Sequence, residues 1–199
     1  MQYFKLLSIV LAILVLGCKS ESKEKKNTEE SHLEHQTNQT NDDGTIKVVS
    51  LSPHTETMAM IGDAHIHIDY SSPRVRNRLI FGGLLTYDNL WQAGAHKATF
   101  IDTNKDLLIA EKIIPAGKYG FFVIPSEGEW TLILNKIWDQ HGKDEYDEKE
   151  DVLRFKVTPV ISEEIQENLE YKITKQTENS GSISLSWEKI TISFPFEIK

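Results

Sequence analysis

One cysteine, Cys18, stands in a chain of 199 residues, so no disulfide can form within the chain and the fold must rest on packing. The chain is equally short of the patterns that announce a chemistry. It has no G-x-S-x-G elbow, no H-E-x-x-H pair and no second thiol, which removes the commonest serine, zinc-protease and cysteine arrangements. Cations are scarce as well: 22 Lys and Arg against 30 Asp and Glu leave a formal net charge of −8. That balance excludes nucleic acid as an expected partner, since such a partner rewards clustered positive charge. After residue 44 no segment spaces its apolar residues with a helical period. What remains has the size and composition of one globular domain with appendages.

Residues 1–17 carry one cation, Lys5, before the apolar run LLSIVLAILVLG. The run is too short to span a bilayer as a helix and reads as a secretory signal. Val15-Leu16-Gly17-Cys18 resembles the bacterial lipobox, which implies cleavage before Cys18 and acylation of its sulfur, with several acyl chains giving a durable membrane anchor. Residues 18–44 have almost no apolar residue and no period, so a disordered tether is expected, with a span on the order of 30 Å. Lys19, Glu21 and Glu24 look like outer-membrane sorting signals. The expected location is therefore the cell envelope, at the outer membrane of a Gram-negative bacterium. His32 and His35 fall in the tether and read as solvated.

The folded part, residues 45–199, is organised around Pro115 to Lys136. This is the densest run of aromatic and β-branched residues, and it reads as two strands around a turn at Ser126-Glu127-Gly128-Glu129. Tyr119, Phe121 and Val123 face one way and Phe122 and Ile124 the other, so the first strand should be covered on both sides. Trp130, Leu132 and Leu134 continue one face, with Thr131, Ile133 and Asn135 behind. Further strands are expected over 45–51, 56–61, 64–70, 98–102, 106–114, 152–160 and three stretches within 168–199. In the last of these the apolar set moves from odd to even positions between Trp187 and Ile190, and a bulge or a tight corner at Glu188-Lys189 would restore the facing. Residues 86–89 and 161–168 are the two places where a helical turn is allowed. The fold class is all-β: an antiparallel β-sandwich of about ten strands, Greek-key or jelly-roll-like, with a closed barrel as the alternative.

Three groups of residues are candidates for function. His65, His67 and Asp69 alternate with Ala64, Ile66, Ile68 and Tyr70, so they share one strand face and could chelate a divalent metal. The plainer reading is a polar outer face, because no third histidine lies at a diagnostic spacing, and no metal or other cofactor is expected. Arg74, Arg76 and Arg78 alternate in SSPRVRNRLIFGG; they could grip an anion, or pair with carboxylates such as Asp88 or Glu111. The irregular stretch 84–97 contains Tyr87 and Trp91, and Trp91 either lines a cleft or plugs the end of the sandwich. If Tyr70 to Arg78 and Trp91 to His96 lie at one rim, a ligand site forms from Tyr70, Arg78, Trp91, His96 and Lys97. The acidic connection 137–151 lacks the pattern of an EF-hand and reads as a solvated loop.

From about Ser50 to Phe196 the chain resembles the bacterial domain of unknown function 2911. The likeness runs through SPHTETMAMIGDAHIHIDYSSPRVRNRLIFGGLLTYDNLWQAGAHKAT, PAGKYGFFVIP, EWTLILNK, DVLRFKV and SLSWEKITISFPF. It implies a secreted or lipid-anchored setting and carries no activity, so no catalytic residue follows from it. Ser72 stands where the family usually has arginine, Asn77 where it has glycine, Gln92 where it has arginine, and His96-Lys97 where it has Asn-Glu. His67 falls where the family tends to have Thr or Ser. The function expected is a lipid-anchored envelope protein, held to the membrane through Cys18, whose sandwich binds a small ligand, a glycan or an envelope protein without catalysis. The alternative is a metal-dependent or other hydrolase using His65, His67 and Asp69, or His96.

Overall fold

Strict alternation of apolar with polar residues forces most of this chain to lie extended, with one side of each strand turned inward. The computed structural model describes residues 36–40 and 46–199. The expected signal sequence, Cys18, His32 and His35 lie outside the described residues. Within the stretch expected to be tether, β1 (Gln36–Thr40) pairs antiparallel with β2 (Ile46–Ser50), so regular backbone pairing begins before residue 45.

The remaining strands are β3 (His54–Ile61), β4 (Ala64–Ser71), β5 (Phe100–Thr103), β6 (Leu107–Ile109), β7 (Lys112–Ile114), β8 (Gly117–Ile124), β9 (Trp130–Asn135), β10 (Asp151–Val157), β11 (Val160–Thr177) and β12 (Ser180–Ile198). They form two antiparallel sheets, one of six strands in the order β10-β9-β8-β5-β4-β3 and one of four in the order β11-β12-β6-β7. The sheets enclose one core and do not close into a barrel, as expected of a β-sandwich. Phe121, Trp130, Leu132 and Ile66 meet Leu185, Trp187, Phe194 and Phe196 within it. Among the described residues the helical content is a single 3-10 turn, Glu148–Glu150, and no helix is long and apolar enough to cross a membrane.

The central hairpin has the facing that its sequence predicts. Tyr119, Phe121 and Val123 belong to the main core, while Phe122 and Ile133 join Ala98 in a second, smaller core on the outer face of the six-stranded sheet. The 136–150 loop covers that second core, with Tyr146 packed against it. The change of facing in β12 is absorbed by Glu188, which sits at φ 55 where the register against β11 shifts. Ile183, Leu185 and Trp187 before it and Ile192, Phe194 and Phe196 after it therefore reach the same core.

Three local expectations are corrected. Residues 106–114 are two strands, β6 and β7, because Ala110 and Glu111 both take positive φ, 44° and 65°, and make a tight hairpin turn. Residues 161–168 are extended in β11, held by ladder pairs such as Ile161 with Ile190. Residues 86–89 form a turn closed by Asn89, whose amide donates to Thr86 Oγ1 and to the Tyr87 carbonyl oxygen. After β4 the chain crosses between the sheets. Leu169 N–H donates to the Pro73 carbonyl oxygen at 2.9 Å and Val75 N–H to that of Glu167 at 2.8 Å, which ties this crossing to β11.

Candidate functional site

The outer face of the six-stranded sheet is covered at the β8–β9 end and open towards β3. Where the cover stops, a cleft of about 610 Å³ lies between β4, the 96–98 segment and the 136–150 loop. That volume is within the range of small-molecule sites. Its aromatic part is Phe100, at the start of β5, and Trp138, from the loop, meeting edge to face at 5.1 Å. The Lys118 ammonium lies over both rings, 5.0 Å from the Phe100 centroid and 4.9 Å from that of Trp138. Its charge is also answered by Asp102, its partner on the neighbouring strand, at 3.7 Å.

Backbone geometry explains why Trp138 is there. Gly120 lies on β8 between Phe100 and Asn135, and a Cβ at this position would come within 2.8 Å of the Ile137 carbonyl oxygen and 3.3 Å of Trp138 Cα. The missing side chain is the gap over which residues 137 and 138 cross the sheet. Beyond the crossing the loop pairs with the other wall: Ala98 N–H donates to the Gln140 carbonyl oxygen at 3.0 Å and Gly142 N–H to that of His96 at 2.7 Å. Buried Gln140 locks the turn, donating to the Ile137 carbonyl oxygen and accepting from Glu145 N–H.

The polar rim is made of paired groups. Lys97 donates to Asp139 at 3.3 Å on one side, and His54 donates to Asp69 at 2.8 Å on the other. Ser52 and Ser71 also line the cleft. Next to it on the sheet, His67 donates to Glu56 at 2.9 Å, and the ligand atoms of Glu56, His67 and Asp69 all lie within 4.8 Å of one another.

Of the residues predicted for a ligand site, His96 and Lys97 line the cleft. Tyr70 borders it but turns its ring into the core against Tyr171, at 4.7 Å, and desolvation raises its hydroxyl above the ordinary tyrosine range. Trp91 is elsewhere. It is buried, donates to the Gly94 carbonyl oxygen, and stacks on Trp187 at 5.8 Å, so it plugs the sandwich and is not part of this cleft's lining. Arg78 is outside the cleft too. Its guanidinium donates to the carbonyl oxygens of Val75 and Arg74, at 3.1 and 2.6 Å, closing its own turn, where the carboxylates Asp88 and Glu111 had been candidates. Arg74 pairs with Glu167. The expected single rim from Arg78 to His96 is thus not formed. His65 shares the face of His67 and stacks on it at 6.3 Å, but Glu56, from the neighbouring strand, is the residue that converges with His67 and Asp69.

Sequence reasoning missed His54, Glu56, Phe100, Trp138 and Asp139. Glu56 was within reach of it: a two-residue turn at Gly62-Asp63 sets the register of β3 on β4 and puts Glu56 opposite Asp69. Trp138 had no such signal, since its position depends on the gap at Gly120. Two of the residues expected to depart from the resembled pattern have structural roles: buried Ser72 donates to the Leu169 carbonyl oxygen at 2.7 Å, and Asn77 sits at φ 56, a conformation that glycine and asparagine both tolerate.

A family model described as protein of unknown function (DUF2911) matches residues 52–196. No curated protein and no solved structure matches the chain.

Proposed function

The chain belongs to the family of proteins of unknown function DUF2911, and we propose that this member is a lipid-anchored envelope protein whose outer-face cleft binds a saccharide without transforming it. The observation that carries this reading is the edge-to-face pair of Trp138 and Phe100 in a cleft whose rim alternates donors and acceptors. A sugar ring offers an apolar C–H face to an aromatic ring and hydroxyls around its edge. The first fits Trp138 and Phe100, and the second fits Asp69, Asp139, Lys97 and His54. A strongly anionic ligand fits less well, because Lys97 and Lys118 are already paired with carboxylates.

The anchor is supported by the apolar run ending in Val15-Leu16-Gly17-Cys18. Acylation at Cys18 would hold the domain at the outer membrane, within reach of envelope polysaccharide. Cys18→Ser should then shift the protein from the detergent phase to the aqueous phase.

Binding of the full chain to an array of envelope and host glycans tests the cleft. At least one saccharide should bind, and Trp138→Ala should abolish binding with the melting temperature nearly unchanged. Saccharide binding that survives Trp138→Ala, or none at all with the wild type, would overturn the proposal. A hydrolase is the second reading, supported by the His54–Asp69 pair opening on the same cleft. Release of shorter products from a bound glycan, lost in Asp69→Asn, would select it.

A further inference from the structure

Glu56 and Asp69 are direct partners in the β3–β4 ladder, and their side chains share the outer face. Like charges placed directly opposite each other disfavour the pairing, so this arrangement calls for hydrogen-bond donors or a cation between or beside them. Two imidazoles answer on the diagonals: His67, two residues along β4 from Asp69, donates to Glu56 at 2.9 Å, and His54, two along β3 from Glu56, donates to Asp69 at 2.8 Å. Two histidines and two carboxylates thus alternate around one point on a hairpin.

We propose that Glu56, His67 and Asp69 form a binding site for a divalent transition-metal ion, zinc by preference, with His54 holding the second oxygen of Asp69. The three donor atoms lie within 4.8 Å of one another, and a tetrahedral zinc with bonds of about 2.0–2.2 Å asks for separations of about 3.4 Å. Reaching that spacing from the present one would take a side-chain shift of up to about 1.4 Å. Zinc displaces the proton that His67 Nε2 shares with Glu56, so an imidazole and two carboxylates take the ion in place of a hydrogen bond. The mixed nitrogen and oxygen set favours zinc over calcium or magnesium, since calcium takes six to eight oxygens and magnesium keeps an octahedral oxygen shell.

The support around these residues is that of a held site. The His67 ring is braced by His65 at 6.3 Å and by the Phe100 edge at 6.0 Å, and its side chain is only 18% exposed. All three donors stand on paired strands, which position a site more rigidly than loops do. Asp69 also lines the cleft. The zinc donors come from this hairpin alone, although Asp69 and its partner His54 also border the cleft.

Zinc chloride titrated calorimetrically into the chelator-treated full chain tests the site, with magnesium and calcium chloride in parallel. One equivalent of zinc should bind, magnesium and calcium should not compete at millimolar concentration, and zinc should raise the melting temperature. Glu56→Gln, His67→Ala and Asp69→Asn should each weaken zinc by more than about tenfold, His54→Ala by about tenfold, and His65→Ala by less than about twofold. Each variant is first checked for a wild-type circular-dichroism spectrum without metal; Glu56, on the edge strand, is the least exposed to a folding defect. Absence of zinc binding overturns the site. So does zinc binding that persists in both Glu56→Gln and His67→Ala, since it would then belong to other histidines of the chain.

Discussion

Tyr171 on β11 donates its hydroxyl hydrogen to the Ala93 carbonyl oxygen at 2.7 Å, reaching across the interior to the irregular segment that leads into β5. Thr99 Oγ1 donates to the same oxygen at 3.0 Å. Ala93 and His96 both take positive φ, 52° and 60°, which non-glycine residues adopt at a cost. These two bonds and the indole of Trp91 on Gly94 hold that segment in place. The four-stranded sheet therefore steadies the wall of the cleft that carries His96 and Lys97.

Tyr171→Phe should lower stability by about 1 kcal/mol, since Thr99 still satisfies the Ala93 oxygen. Removing both donors with Tyr171→Phe and Thr99→Val should cost more than the sum of the two single changes. Urea unfolding midpoints of the three variants check this.

Burial raises the Tyr171 hydroxyl well above its ordinary value of 10.0. Tyr146 is raised too, first by desolvation and then by its hydrogen bonds to the Asp151 carboxylate. A phenol whose folded pKa exceeds its unfolded one adds stability that is complete below pH 10 and is lost as pH rises through the folded value, because the unfolded chain ionises first. Unfolding free energy should fall above pH 10, and Tyr146→Phe should make that fall shallower than in the wild type. Identical slopes for the two proteins would refute the assignment.

Gly120→Ala forces a Cβ to within 2.8 Å of the Ile137 carbonyl oxygen, a backbone atom that cannot rotate away. Stability should drop by about 1–3 kcal/mol, and Trp138 fluorescence should change as the crossing lifts. Any ligand of the cleft should bind more weakly to this variant.

In the core, Phe121→Ala and Trp130→Ala should each cost about 3–5 kcal/mol, because both side chains are almost wholly buried. A loss below about 1 kcal/mol at both positions, measured by denaturant titration, would contradict the packing described.

Alternation alone determined the β class, the hairpin of Pro115 to Lys136, the two-sided burial of Phe121 and Phe122, and the correction of facing at Glu188. Each depends on the period of side chains along a strand, which neighbouring residues dictate. The cleft was legible only in part. His96 and Lys97 stood out as polar residues on an irregular stretch, and His67 and Asp69 as an alternating pair. Trp91 and Arg78 could not be assigned from their types, because an indole or a guanidinium is as well satisfied by backbone carbonyls as by a ligand. Trp138 over Phe100, and Glu56 beside His67 and Asp69, arise where separate strands and a loop are laid side by side. Those distances are fixed by register and by the space left at Gly120, and both are properties of the assembled sheet.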